Sequence, residues 1–158
     1  MTDTTPRQHT AASPARTRTN SGRLAVIAAV LAGLLLTNLA IYAIGRALGG
    51  AFAYTQNGAP IRVDPVAITI MSLAPLATGL ALIAALSRKW PAAIPVARIA
   101  APTLAVATIA VMTIPAGFDT TSTMALATMH LTTIPAALLA LNTLPRRPSQ
   151  SAQPAPPT

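Results

Sequence analysis

Within the long apolar stretches of this chain, one side chain can change protonation near neutral pH, and it is His130. An ionisable group at membrane depth is costly and often functional. At a rise of 1.5 Å per helical residue, His130 lies roughly 10 Å in from Thr123. Asn38 lies at a similar depth counted back from Gly45, and Ser72 and Thr108 fall near the same layer. Four apolar stretches thus each contribute one polar group at about one level.

Two chemistries suit such a layer. Neutral imidazole, amide and hydroxyl groups bond between helices, at about 0.6 kcal/mol on average. Alternatively, His130 carries protons. A relay would add an Asp or Glu, and no stretch supplies one, so the structural reading leads, with His130 paired to Asn38.

Other chemistry finds little material. Cysteine and glutamate are absent, which removes thiol nucleophiles, thiolate metal sites and disulfides. A lone histidine is too few ligands for a metal. There is no HExxH pair, no Gly-x-Ser-x-Gly elbow and no phosphate loop. Asp64 directly precedes Pro65 and reads as a helix N-cap followed by proline at the first position. Asp119, before Thr120, Thr121 and Ser122, reads as the cap of another helix. The expectation is no catalytic residue, no cofactor, no metal site and no enzyme.

The elements that carry this layer follow from hydropathy. Four apolar runs, near residues 24–45, 66–86, 99–116 and 123–144, each approach the roughly 20 residues that cross ~30 Å of hydrocarbon. Charged residues make up 9% of the chain, against roughly 25% in soluble domains. Lipid offers the backbone no hydrogen-bond partner, so the runs must be helices. The fold class is all-α: an integral membrane four-helix bundle over residues 23–145. Residues 1–22 and the Pro-rich 146–158 are expected to be disordered tails.

A net charge of +8 would suggest nucleic acid in a soluble protein, but its placement argues otherwise. Nine basic residues flank the first span's start, the 87–98 turn and the end of the fourth span. Only Arg46 and Arg62 lie in the other connections. By the positive-inside rule, both termini are cytoplasmic in a multi-pass protein of the cell membrane. The stretch from Leu24 is too long for a signal-peptide core, so the first span is expected to be retained.

Smaller signals fill in the frame. Asn57-Gly58 between Ala53–Gln56 and Ile61–Val63 suggests a hairpin, weakened by Pro60. Phe52, Tyr54 and Trp90 are expected as interfacial anchors. Ala25, Ala29, Gly33 and Thr37 recur every four residues and suggest close helix packing. Pro75 and Pro135 are expected to kink their helices. On the fourth helix, Thr123, Leu126, Ala127, Thr133, Ile134 and Ala137 share the His130 face, which is expected to be buried protein.

The order of features is a basic leader, one span and an outer loop with Gly58-Ala-Pro-Ile-Arg-Val63. A second span ends in Ser87-Arg88-Lys89, and two more follow, the last with Met129-His130-Leu131 before Pro145-Arg146-Arg147. Over roughly residues 23–147 this resembles the small four-span actinobacterial proteins of domain of unknown function 6069. The third span ends in Met112-Thr113-Ile114-Pro115, where that family's pattern is closer to Ser-Leu-x-x-Pro. The resemblance implies architecture and no activity. The leading expectation is a structural or accessory membrane subunit, with a small oligomeric transporter or channel protomer as the alternative. Its partners would be the lipid bilayer and another membrane protein or a second copy, not nucleic acid.

Overall fold

The computed structural model describes residues 15–144, with side chains from residue 21. Helix α1 spans Ala15–Ala47, strands β1 and β2 span Ala53–Gln56 and Ala59–Arg62, and α2 spans Pro65–Leu86. Helix α3, Ala93–Thr108, runs on into a π-helical turn, Ile109–Thr113, and α4 spans Thr120–Thr143. All four helices are long and apolar enough to cross a membrane. The protein is an all-α, four-helix multi-pass membrane protein with a short hairpin at one end.

Helix starts follow the capping chemistry. Asp64 Oδ1 accepts from Ala67 N at 2.7 Å, with Pro65 beginning α2. Asp119 Oδ1 accepts from Ser122 N at 2.9 Å at the start of α4. Each carboxylate satisfies a donor that the first helical turn leaves without a carbonyl. Asn57 and Gly58 both take positive φ, 53° and 78°, so the hairpin turns in two residues. Pro60 lies opposite Thr55 in this two-stranded ladder.

The clearest differences from the expected boundaries are in α1 and α3. α1 extends back to Ala15, so residues 15–22 are helical rather than unstructured. A nucleated helix propagates easily, and no proline interrupts this run. The expectations for residues 1–14 and 145–158 lie outside the described residues. α3 starts at Ala93, six residues before the expected Ile99, and its span ends at Thr113 rather than Ala116. Pro95 falls in its first turn, where a missing N–H does no harm. Arg98, expected as a flank, is inside α3, and its guanidinium donates to the Asn142 side chain on α4.

α4 is the central helix. It lies along α1 and α3 and touches α2, whereas the consecutive α2 and α3 touch little and α1 and α3, among the described residues, not at all. One packed cluster near the hairpin gathers Phe52, Ile68, Ala125 and Met129. A second, towards the 87–92 turn, gathers Leu80, Ala97, Ala140 and Leu141. α1 buries Leu34, Asn38 and Gly45, while Ala25, Ala29, Gly33 and Thr37 are all exposed. The small-residue stripe therefore faces away from the bundle. A Cβ on Gly33 would meet nothing within 4 Å. Four-residue spacing fixes a face but not which way it points, and larger α1 side chains fill the interhelical space instead.

The hairpin end is closed by a hydrogen-bonded cap. Ser122 Oγ accepts from Phe52 N at 2.8 Å and donates to Asp119 Oδ2 at 2.5 Å. Ala51 N also donates to Asp119 Oδ2, at 3.0 Å. Arg46 Nη1 donates to the Gly50 and Ala51 carbonyls at 2.8 and 3.0 Å. These bonds hold Phe52 at φ 50°, a backbone region that disfavours L side chains by about 1–2 kcal/mol. Its ring is fully buried and meets Tyr42 edge-on at 4.7 Å. Phe52 is thus a plug rather than an interfacial anchor, because the cap turns its ring inward. Tyr54 packs on Phe118, ring centroids 4.8 Å apart, and Trp90 is exposed in the 87–92 turn.

Candidate functional site

A polar contact joins three of the helices, and its members differ from the expected ones. Asn38 Nδ2 donates to Ser72 Oγ at 2.8 Å, and the Thr132 hydroxyl, its one proton shared with the Met129 carbonyl of α4, donates to Asn38 Oδ1 at 2.7 Å. Asn38 thereby ties α1 to α2 and α4 between the two packed clusters, and it is 1% exposed. Each half of the amide meets its complementary group. Among the described residues, no buried side-chain nitrogen or oxygen lacks a partner.

His130 is not in this triangle. Its Nδ1 lies 2.8 Å from the Leu126 carbonyl on its own helix. Asn38 faces a different side of α4. Thr132, two residues on, lies roughly 200° further around α4, so the residue facing Asn38 is the threonine. Thr108 is apart as well, with Oγ1 donating to Leu104 O at 2.7 Å on α3. Of the four expected residues, only Asn38 and Ser72 bond each other. Thr132 was missed, and its signal was only its level, shared with several other hydroxyls.

His130 and Thr108 meet in another way. Because α2 and α3 splay, a cleft of about 410 Å³ opens between them, with α4 as its floor. Ser72, Thr108, His130 and Thr133 are its polar lining. Gly79, Ala97, Ala101 and Ala105 leave the room. The His130 face of α4 is therefore half-buried along a lateral cleft rather than sealed inside protein. The cleft is apolar apart from those groups, and its size falls in the range of about 300–1,000 Å³ common for small-molecule sites.

At the hairpin end, Asp119 is the one carboxylate that gathers several donors. The Ser122 hydroxyl, then the Ser122 N–H, and also the Ala51 N–H hold its carboxyl below the ordinary carboxylate range, against a smaller opposing effect of burial. Its sequence context disclosed the cap of α4 but not the second oxygen's reach to Ala51. Among the described residues, no three His, Cys, Asp or Glu side chains gather as a metal site would need.

Comparison with known proteins adds one finding. No curated protein and no solved structure matches the chain. Residues 14–148 match the family of unknown function DUF6069. That match covers the cap, the polar layer, the cleft and all four spans, so the chain belongs to the DUF6069 family.

Proposed function

We propose that this protein is a non-enzymatic accessory subunit of the cell membrane, acting by packing its helices against another membrane protein. The observation that carries this reading is the Asn38–Ser72–Thr132 triangle. It commits one polar group from each of three helices to its neighbours, which favours a packing scaffold over a solute path. In this reading both ends of the helical unit face the cytoplasm, on the side of Arg23, Arg88 and Lys89. Arg46, an exception to that asymmetry, has a local reason to lie on the other side. It clamps two loop carbonyls, and a cation at a helix C-terminus is also favourable.

A second reading draws on the lateral cleft. A transporter protomer would use the His130 face, with a second copy completing the path. Extraction of native membranes in mild detergent, followed by mass determination of the intact complex, separates the two. The accessory reading expects a different membrane protein held at fixed stoichiometry. A homo-oligomer whose proteoliposomes carry a pH-dependent flux, lost in His130→Ala, would overturn it.

A further inference from the structure

Three of the four polar side chains that line the α2–α3 cleft share one character, the exception being Ser72, whose Oγ accepts from Asn38 and keeps its own proton to donate. A backbone carbonyl only accepts, so the proton between His130 and Leu126 O sits on Nδ1. In the neutral ring that leaves Nε2 as a lone-pair acceptor. The His130 ring makes no other hydrogen bond among the described residues, and no buried side-chain nitrogen there lacks a partner. Nε2 is therefore accessible, on a residue that lines the cleft. Thr108 and Thr133 have committed their hydroxyl protons to the carbonyls of Leu104 and His130, at 2.7 and 2.5 Å. Both keep only acceptor capacity. Pro75, on the cleft wall, also lacks the N–H that the Met71 carbonyl would ordinarily accept.

An apolar cleft at membrane depth with acceptors on its floor selects its occupant. At His130 and Thr133, a ligand offering only ester or ketone oxygens would set acceptor against acceptor. A cation would be costly at that depth. A transmembrane helix is about 10–12 Å across and uses its N–H groups internally, so it fits neither the volume nor the chemistry well. A hydroxyl on a hydrocarbon chain meets both demands. We propose that the cleft is a binding site for a lipid alcohol, whose chain lies between α2 and α3 and whose hydroxyl donates to His130 Nε2. The inference goes beyond the accessory role and does not depend on it.

The test uses two probes that differ only in the donor, geranylgeraniol and its methyl ether, added to the purified full-length protein in nanodiscs. Geranylgeraniol is expected to raise Tm by a few degrees in a saturable way, and the ether is not. His130→Phe, which keeps an aromatic ring and removes the acceptor, should abolish the alcohol's shift. His130→Gln, which restores an acceptor oxygen, should recover part of it. Gly33→Ala, on the outer face of α1 and away from the cleft, should leave the shift in place even if the basal Tm rises. Equal shifts from alcohol and ether would overturn the proposal, as would no shift from either. So would a cross-link between two copies through single cysteines at Ala101, because the cleft would then be an interface between protomers.

Discussion

At the residue scale, Asn38 carries more of the structure than His130. Removing the Asn38 amide leaves Ser72 and Thr132 without their partner across helices. Asn38→Ala is expected to lower stability by about 1–2 kcal/mol, measured by reversible denaturation in mixed micelles. Combined with Thr132→Ala it should be non-additive, whereas combined with His130→Ala it should add to within about 0.5 kcal/mol, because those two share no partner. The reverse pattern would restore the His130–Asn38 pair. Asp119 makes a different prediction. Its folded pKa is lowered, so its contribution to stability is present above the ordinary carboxylate range and is lost as pH falls through the lowered value. Asp119→Asn should remove that acid-dependent step from the stability profile, and an unchanged profile would mean that the loop contacts are not formed.

At the element scale, the cap depends on two glycines for space rather than for unusual φ. A Cβ on Gly50 would stand 2.9 Å from the Gly45 carbonyl oxygen, and one on Gly45 would stand 2.8 Å from Phe52 Cζ. Backbone yields less than a ring tip, but the Phe52 ring is itself fully buried. Both Gly→Ala changes are expected to destabilise, by about 1–3 kcal/mol, with Gly50 the worse. Gly33→Ala is the control. That position is open on the outer face of α1, and alanine should stabilise the helix there by up to about 1 kcal/mol. Equal losses at all three positions, in a thermal melt, would mean that α1 packs on the face now seen as exposed. The π-helical turn at Ile109–Thr113 follows from neither hydropathy nor propensity, and Ile114 N bonding Ile109 O at 3.0 Å is its signature.

At the scale of the whole molecule, orientation rests on charge. Nine basic residues against two predict that Asn57 and the 87–92 turn lie on opposite sides of the membrane. Single cysteines at Asn57 and Lys89, in a chain that has none of its own, allow the test with a membrane-impermeant thiol reagent on intact cells. Asn57→Cys should label from outside and Lys89→Cys only after permeabilisation. Labelling of both from outside would remove the proposed topology.

Length and apolarity set four spanning helices, because a backbone in lipid must satisfy itself within each segment. The caps at Asp64 and Asp119 and the Asn57-Gly58 turn were legible for a similar reason, since each is decided within a few residues. Which way each helix turns was not. In a soluble bundle a polar face points outward and discloses the phase. Here the surroundings are as apolar as the interior, so the outward and inward faces of α1 read alike. That ambiguity sent the Ala25–Thr37 stripe outward and put Thr132 where His130 was expected. The 87–98 charges likewise hid the true start of α3, because Arg98 becomes tolerable inside the helix only once Asn142 of α4 is beside it. Depth along each helix was fixed by counting residues, whereas rotation about each helix was decided by contacts between helices that lie far apart in the chain.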